Sequence, residues 1–78
     1  MGTYILENMV TQYGHIRTEE YNGRKCSKGR QTLEVVEAVL VPANWPGNKQ
    51  IAAQAIVQGK RGAMYNAYIY KNGFISVI

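Results

Sequence analysis

The clearest pattern of apolar and polar positions lies near the C-terminus. Met64–Lys71 and Phe74–Ile78 are both rich in aromatic and β-branched residues, and Asn72-Gly73 separates them. Asn-Gly is the preferred pair for a two-residue type I′ turn, because both turn positions need positive φ. Such a turn sets Tyr70 opposite Ile75 and leaves both faces of the hairpin apolar. The pattern therefore predicts a hairpin at the centre of the core.

Two interior segments fit both a strand and a helix. In 32–41, Thr32 is a suitable helix cap and Pro42 a suitable stop, yet four valines favour a strand. Residues 51–58 alternate as a strand does, while their alanines also permit a short helix over 49–58. The valines and the alternation favour strands at both places.

The remaining segments carry weaker signals. Asn22-Gly23 follows Ile16–Tyr21 and predicts either a short hairpin or a long basic loop that runs to Arg30. Pro46-Gly47 predicts a further turn. The opening segment, Thr3–Tyr13, has a β-leaning composition.

Together these elements predict one small domain over residues 1–78. The predicted fold is mainly β, a small barrel or sandwich of about five or six antiparallel strands. The alternative is an α+β fold with one or two short helices at 32–41 and 49–58.

The composition of the chain indicates in which cellular compartment the protein is found. The chain has a single cysteine, Cys26, so no internal disulfide can form and a reducing compartment is expected. Its longest apolar run contains Pro42 and is far too short for a membrane span, and no targeting segment is recognisable. We therefore expect a cytoplasmic protein without a membrane partner.

Charge is distributed unevenly along the chain. Five basic and five acidic residues cancel through Ala38, whereas the stretch from Val39 onward has no acid and four bases. That second half supplies the entire net charge of +4. An acid-free basic half favours a surface of positive potential and an anionic partner.

Catalytic residue types are scarce. The chain has no aspartate, one histidine (His15) and one cysteine, and no pair of glutamates is spaced for general acid–base catalysis. The only thiol nucleophile available would combine Cys26 with His15. The sequence therefore predicts a protein that is not an enzyme, with no metal site and no cofactor.

Anion binding is better supported than catalysis. Two glycine-bounded segments are basic, and their cations suit phosphate oxygens. The candidate phosphate-binding residues are Arg24, Lys25, Lys28, Arg30, Lys60 and Arg61. The opposing interpretation is that both segments are ordinary solvated loops.

Aromatic residues add two kinds of candidate. Tyr21 and Tyr65 lie beside the basic segments and are candidates for stacking on a base, although tyrosines also fill the cores of small β domains. Trp45, between two prolines, is a candidate anchor for a protein partner or a lid over one end of the fold.

These features favour a binding module for an anionic ligand, either nucleic acid or a nucleotide. The alternative is an accessory or inhibitor protein that binds an acidic or nucleic-acid-binding surface of another protein, either as a monomer or as a homodimer through the apolar C-terminal hairpin. Small basic chains of this kind are typical of phages and mobile elements.

Overall fold

The computed structural model describes residues 11, 12, 14 and 16–78. Apart from residues 11 and 12, the β-leaning segment Thr3–Tyr13 lies outside these described residues, and so does His15. Residues 16–78 contain strands and turns and no helix. The strands are β1 (Ile16–Thr18), β2 (Lys25–Lys28), β3 (Gln31–Leu40), β4 (Ile51–Gly59), β5 (Met64–Tyr70) and β6 (Ile75–Val77).

The predicted mainly β, antiparallel fold is confirmed. All six strands belong to one antiparallel sheet in the order β1-β3-β4-β5-β6, and β2 also pairs with β3. The β1 strand pairs with the end of β3 and β2 pairs with its start, so the two form one interrupted edge. The sheet is open rather than closed into a barrel, although β2 and β6 at its two edges approach each other.

Both ambiguous segments are strands, and the helices considered at 32–41 and 49–58 do not form. In the first segment, a β-bulge in β3 contributes to the ambiguity between strand and helix. Leu33 and Val35 are buried before the bulge and Ala38 after it, with Val36 as the extra residue. The bulge changes the spacing of buried positions from two to three, and this mixed spacing resembles a helical period.

Most of the core lies on one face of the sheet, which we call the inner face. Alternating residues of the three central strands form it, because side chains point to opposite faces at each step of a strand. Its buried members are Leu33, Val35, Ala38, Ala53, Ala55, Val57, Ala67 and Ile69. Half-buried residues such as Tyr65 and Val77 pack against this cluster. Val39 and Ile56 are buried on the opposite face.

The C-terminal hairpin forms, but its predicted register is wrong. The Tyr70 N–H donates to the Phe74 carbonyl at 2.8 Å, and Ile69 is opposite Ile75. The loop therefore has three residues, with Gly73 at a φ of 97° and its N–H bonded to the Tyr70 carbonyl at 2.9 Å. This is a type I turn closed by a left-handed glycine, so Asn72 does not need positive φ.

Because the loop is one residue longer than predicted, the side chains of β6 point to the faces opposite to those predicted. Ile75 and Val77 join Ala67 and Ile69 on the inner face, while the exposed Phe74 lies on the opposite, outer face. The hairpin also does not lie centrally in the sheet, because β6 is an edge strand.

Asn22-Gly23 does not form a hairpin turn. The chain from Glu19 to Arg24 makes two successive turns between β1 and β2, and at its end the Gly23 N–H donates to the Val35 carbonyl of β3 at 2.9 Å. The β2–β3 hairpin instead turns at Gly29-Arg30, where Lys28 pairs with Gln31. Gly29 has a φ of 62° and Arg30 does not have positive φ, as a type II′ turn requires.

Candidate functional site

The two basic segments meet because of the order of the strands. In an antiparallel meander, alternate turns lie at the same end of the sheet. The β2–β3 turn (Gly29-Arg30) and the β4–β5 turn (Lys60–Gly62) therefore share one end, which we call the basic end. The β3–β4 connection and the β5–β6 turn share the other end, where the Lys71 N–H donates to the Gln50 carbonyl at 2.9 Å.

The β4–β5 turn is built like the C-terminal one. Gly59 N–H donates to the Ala63 carbonyl at 2.9 Å, and Gly62 N–H donates to the Gly59 carbonyl at 3.0 Å. Gly62 has a φ of 90°, which closes the turn in the left-handed region. Lys60 and Arg61 occupy the exposed tip, so their side chains face solvent.

A hollow of about 550 Å³ lies between the two turns, and we call it the basic hollow. Three cations line it: Arg30 from one turn, and Lys60 and Arg61 from the other. Neutral lining residues include Gln31, Thr32 and Tyr65. No acidic side chain of the described chain lines this hollow.

The cations of the basic hollow are free to attract an anion. Ion pairs between described residues join Arg17 to Glu37 and Lys25 to Glu34, the latter at 3.2 Å. Arg30, Lys60 and Arg61 make no ion pair with a described carboxylate. Fixed positive charges of this kind, gathered at one end, suit a phosphate group.

Tyr65 lines the hollow and is restrained there by the sheet, the core and one neighbouring cation. It lies opposite Val57 in the sheet register and packs against the core cluster. The Lys28 ammonium lies 5.5 Å from the ring centroid, within the range of a cation–π contact. Lys28 does not line the hollow itself, but it adds a further positive charge to the basic end.

The remaining predicted phosphate contacts lie elsewhere. Lys25 lines a smaller neighbouring hollow of about 230 Å³, together with Lys60 and Glu34. Glu34 is the ion-pair partner of Lys25. The Arg24 guanidinium lies 4.7 Å from the ring centroid of Tyr21, in the β1–β2 connection. Neither Arg24 nor Tyr21 lines the basic hollow.

Trp45 does not form an exposed anchor. Its side chain is buried at 6% exposure, and its ring centroid lies 5.9 Å from that of Tyr68. The ring packs on the sheet, because burying its large apolar surface stabilises the fold. The structure therefore contradicts the exposure that the anchor interpretation required, and a role of Trp45 in binding a partner stays a prediction.

The burial of Cys26 does not activate its thiol as a nucleophile, and His15, the partner considered for it, lies outside the described residues. Cys26 lies on the inner face of β2 against the core cluster, and burial raises the pKa of its thiol above the ordinary value. A raised pKa keeps the thiol protonated at neutral pH, whereas catalysis needs the thiolate. The described residues contain no group of His, Cys, Asp and Glu side chains arranged to hold a metal ion.

Sequence reasoning missed Gln31 and Thr32 as lining residues. A signal for them existed, because Gly29-Arg30 is a Gly-X pair of the kind that forms two-residue hairpin turns. Recognising that turn places Gln31 at the start of a strand next to the basic tip.

No protein-family model matches this chain, and no curated protein or solved structure resembles it significantly. Within the described residues there is no helix long and apolar enough to cross a membrane.

Proposed function

We propose that this protein is a non-enzymatic module that binds nucleic acid or a nucleotide at its basic end. The observation that carries the proposal is the meeting of two separate basic turns on one hollow without a carboxylate. Arg30, Lys60 and Arg61 would contact phosphate oxygens there, and Lys28 would add to the local positive potential.

Charge reversal at the two ends of the sheet tests the proposal. The chain offers a matched pair of double variants, Lys60→Glu/Arg61→Glu at the basic end and Lys49→Glu/Lys71→Glu at the opposite end. Each takes the formal net charge from +4 to 0, so the two differ only in where the charge is removed.

We expect the basic-end variant to lose at least about 10-fold in affinity for an oligonucleotide, because a lost charge-assisted contact costs about 1.5–3 kcal/mol. The opposite-end variant should stay within about threefold of wild type, since its lysines are far from the hollow. Fluorescence anisotropy with a labelled strand measures both. Equal losses in the two variants, or no binding by the wild type, would overturn the proposal.

The alternative function is a protein-binding accessory or inhibitor. The purified protein separates the two by its absorbance ratio at 260 and 280 nm, before and after a high-salt wash. Nucleic acid that co-purifies and is removed by salt supports our proposal. A stoichiometric protein partner with no nucleic acid supports the alternative.

A further inference from the structure

We infer that the basic hollow receives one unpaired nucleobase, with the base stacked against Tyr65, so that the ligand is a single-stranded nucleic acid. This inference rests on the proposed function and narrows it. It depends on the aromatic and neutral residues of the hollow, whereas the proposed function depends on the cations.

The Tyr65 ring is already fixed in place before any ligand binds. It is half-buried against the core cluster, and the Lys28 ammonium is 5.5 Å from its centroid. Because these contacts already restrict the ring, a base that stacks on the part of Tyr65 that lines the hollow pays less to order it. Stacking on such a ring is tolerant of sequence, since every base has a π face.

Neutral polar groups lie beside the ring, between the two cationic tips. Gln31 and Thr32 are both exposed at the start of β3 and line the hollow. Gln31 supplies an amide that both donates and accepts, and Thr32 supplies a hydroxyl, which suits the edge of a base. The hollow thus offers neutral polar side chains that can bond the edge of a base, in addition to the cations that can bind phosphates.

Gly59 lets the Gln31 side chain pack close to the backbone of β4. A Cβ at this position would lie 3.1 Å from Gln31 Oε1 and 3.2 Å from Leu33 Cδ2. A larger residue at position 59 would therefore push the Gln31 amide away from its present place at the edge of the hollow.

The dimensions of the hollow favour a single nucleotide over a duplex. Its volume of about 550 Å³ lies within the usual range for small-molecule sites, about 300–1,000 Å³. The bases of a duplex are stacked and paired, so they would have to be flipped out to enter. An unpaired base in a single strand is already accessible.

The test uses a tyrosine pair that the chain itself supplies. Tyr21 and Tyr65 are both half-buried, both pack against the core cluster, and each has a cation over its ring. Only Tyr65 lines the basic hollow. Tyr65→Leu therefore removes the stacking ring, and Tyr21→Leu controls for the loss of a packed tyrosine.

Anisotropy titrations would use an oligothymidylate of about 12 nucleotides, a duplex of the same length and an abasic strand with the same phosphates. We expect Tyr65→Leu to lose about 5- to 150-fold in affinity for oligothymidylate, and Tyr21→Leu and Tyr65→Phe to stay within about threefold of wild type. Wild type and Tyr65→Leu should bind the abasic strand and the duplex equally well. Thermal melting checks that each variant is folded.

A measurement on the wild type covers the case in which Tyr65→Leu does not fold. The NMR signals of the Tyr65 ring should shift upon addition of oligothymidylate and stay in place with the abasic strand, because only a base brings a ring current.

Several results would overturn the inference. These are an unchanged Tyr65 signal, equal oligothymidylate affinity of wild type and folded Tyr65→Leu, or a free mononucleotide that binds as tightly as the strand. If Lys60→Glu/Arg61→Glu still abolishes binding in those cases, the proposed function stands without the base contact. If that variant binds like wild type, the proposed function itself fails.

Discussion

At the scale of single residues, the cations of this protein differ in how much of their charge is available to a ligand. Lys25 is 3.2 Å from the Glu34 carboxylate, and Arg24 lies over the ring of Tyr21. Arg30 and Lys60 have no described carboxylate partner and line the basic hollow. The six cations that look equivalent in the sequence are therefore not equivalent in the fold.

Gln54 is the residue whose environment is most unusual. It lies on the outer face of β4, opposite Tyr68, and is only 2% exposed. Neither its amide nitrogen nor its amide oxygen meets a hydrogen-bond partner in the described part of the chain, and the Oδ1 of nearby Asn66 is also buried without one. A buried polar group without a partner costs about 1–3 kcal/mol.

We predict that Gln54→Leu raises the free energy of unfolding by about 1–2 kcal/mol, because it removes this penalty while nearly keeping the side-chain volume. Urea denaturation measures the change. Gln58→Leu is the matched control on the same face, since Gln58 donates to the Gly62 carbonyl at 3.5 Å, and it should not stabilise the protein. A less stable Gln54→Leu would show that the amide has a partner after all.

At the scale of the elements, two turns of the sheet follow one design. The loops Lys60–Gly62 and Lys71–Gly73 each have three residues, and each ends on a glycine with φ of 90° or more. In the second loop the Phe74 N–H also donates to Asn72 Oδ1 at 2.9 Å. The role of asparagine is therefore to bond the backbone beyond it, and the glycine alone supplies the left-handed conformation.

This design predicts different effects of two substitutions at one position. Gly73→Ala should lower the free energy of unfolding by about 1–2 kcal/mol, because an alanine is strained at a φ of 97°. Gly73→Asn should lose less, since asparagine enters the left-handed region more readily. Chemical denaturation of the two variants checks the order, and equal losses would argue against a left-handed conformation at Gly73.

At the scale of the whole molecule, topology decides where the charge gathers. The β2–β3 and β4–β5 turns are about thirty residues apart in sequence, yet an antiparallel meander puts them at one end. Lys28, Arg30, Lys60 and Arg61 all belong to that end. Four of the nine basic residues of the chain are thus gathered at one end of the sheet.

A concentrated charge has a measurable consequence for binding. If these four cations neutralise about four phosphates of a single strand, the logarithm of the affinity should fall with the logarithm of salt concentration at a slope of about −3. Lys60→Glu/Arg61→Glu should make the slope shallower by about 1 to 2. Titrations at several salt concentrations give the slope, and an affinity that is independent of salt would contradict a phosphate interface.

The strands of the sheet could be predicted from the sequence, whereas the register of the last hairpin could not. The valines of β3, the alternation of β4 and the aromatic residues of β5 are local signals for strands, and all three became strands. The register of the C-terminal hairpin was missed, because Asn72-Gly73 fits both a two-residue and a three-residue loop and local propensity does not choose between them. For Trp45 the sequence left an exposed anchor and a lid over one end of the fold as alternatives, because a loop position does not indicate which surface the ring contacts.

What the sequence by itself determined about this protein is its antiparallel β character, its basic second half and the residue types suited to phosphate and base. These follow from local backbone preferences and from composition. Only the tertiary structure decided that Arg30 meets Lys60 and Arg61, that Tyr65 joins them while Tyr21 does not, and that the sheet stays open. The physical reason is that register and strand order arise from packing between distant segments, and single local signals do not encode that packing.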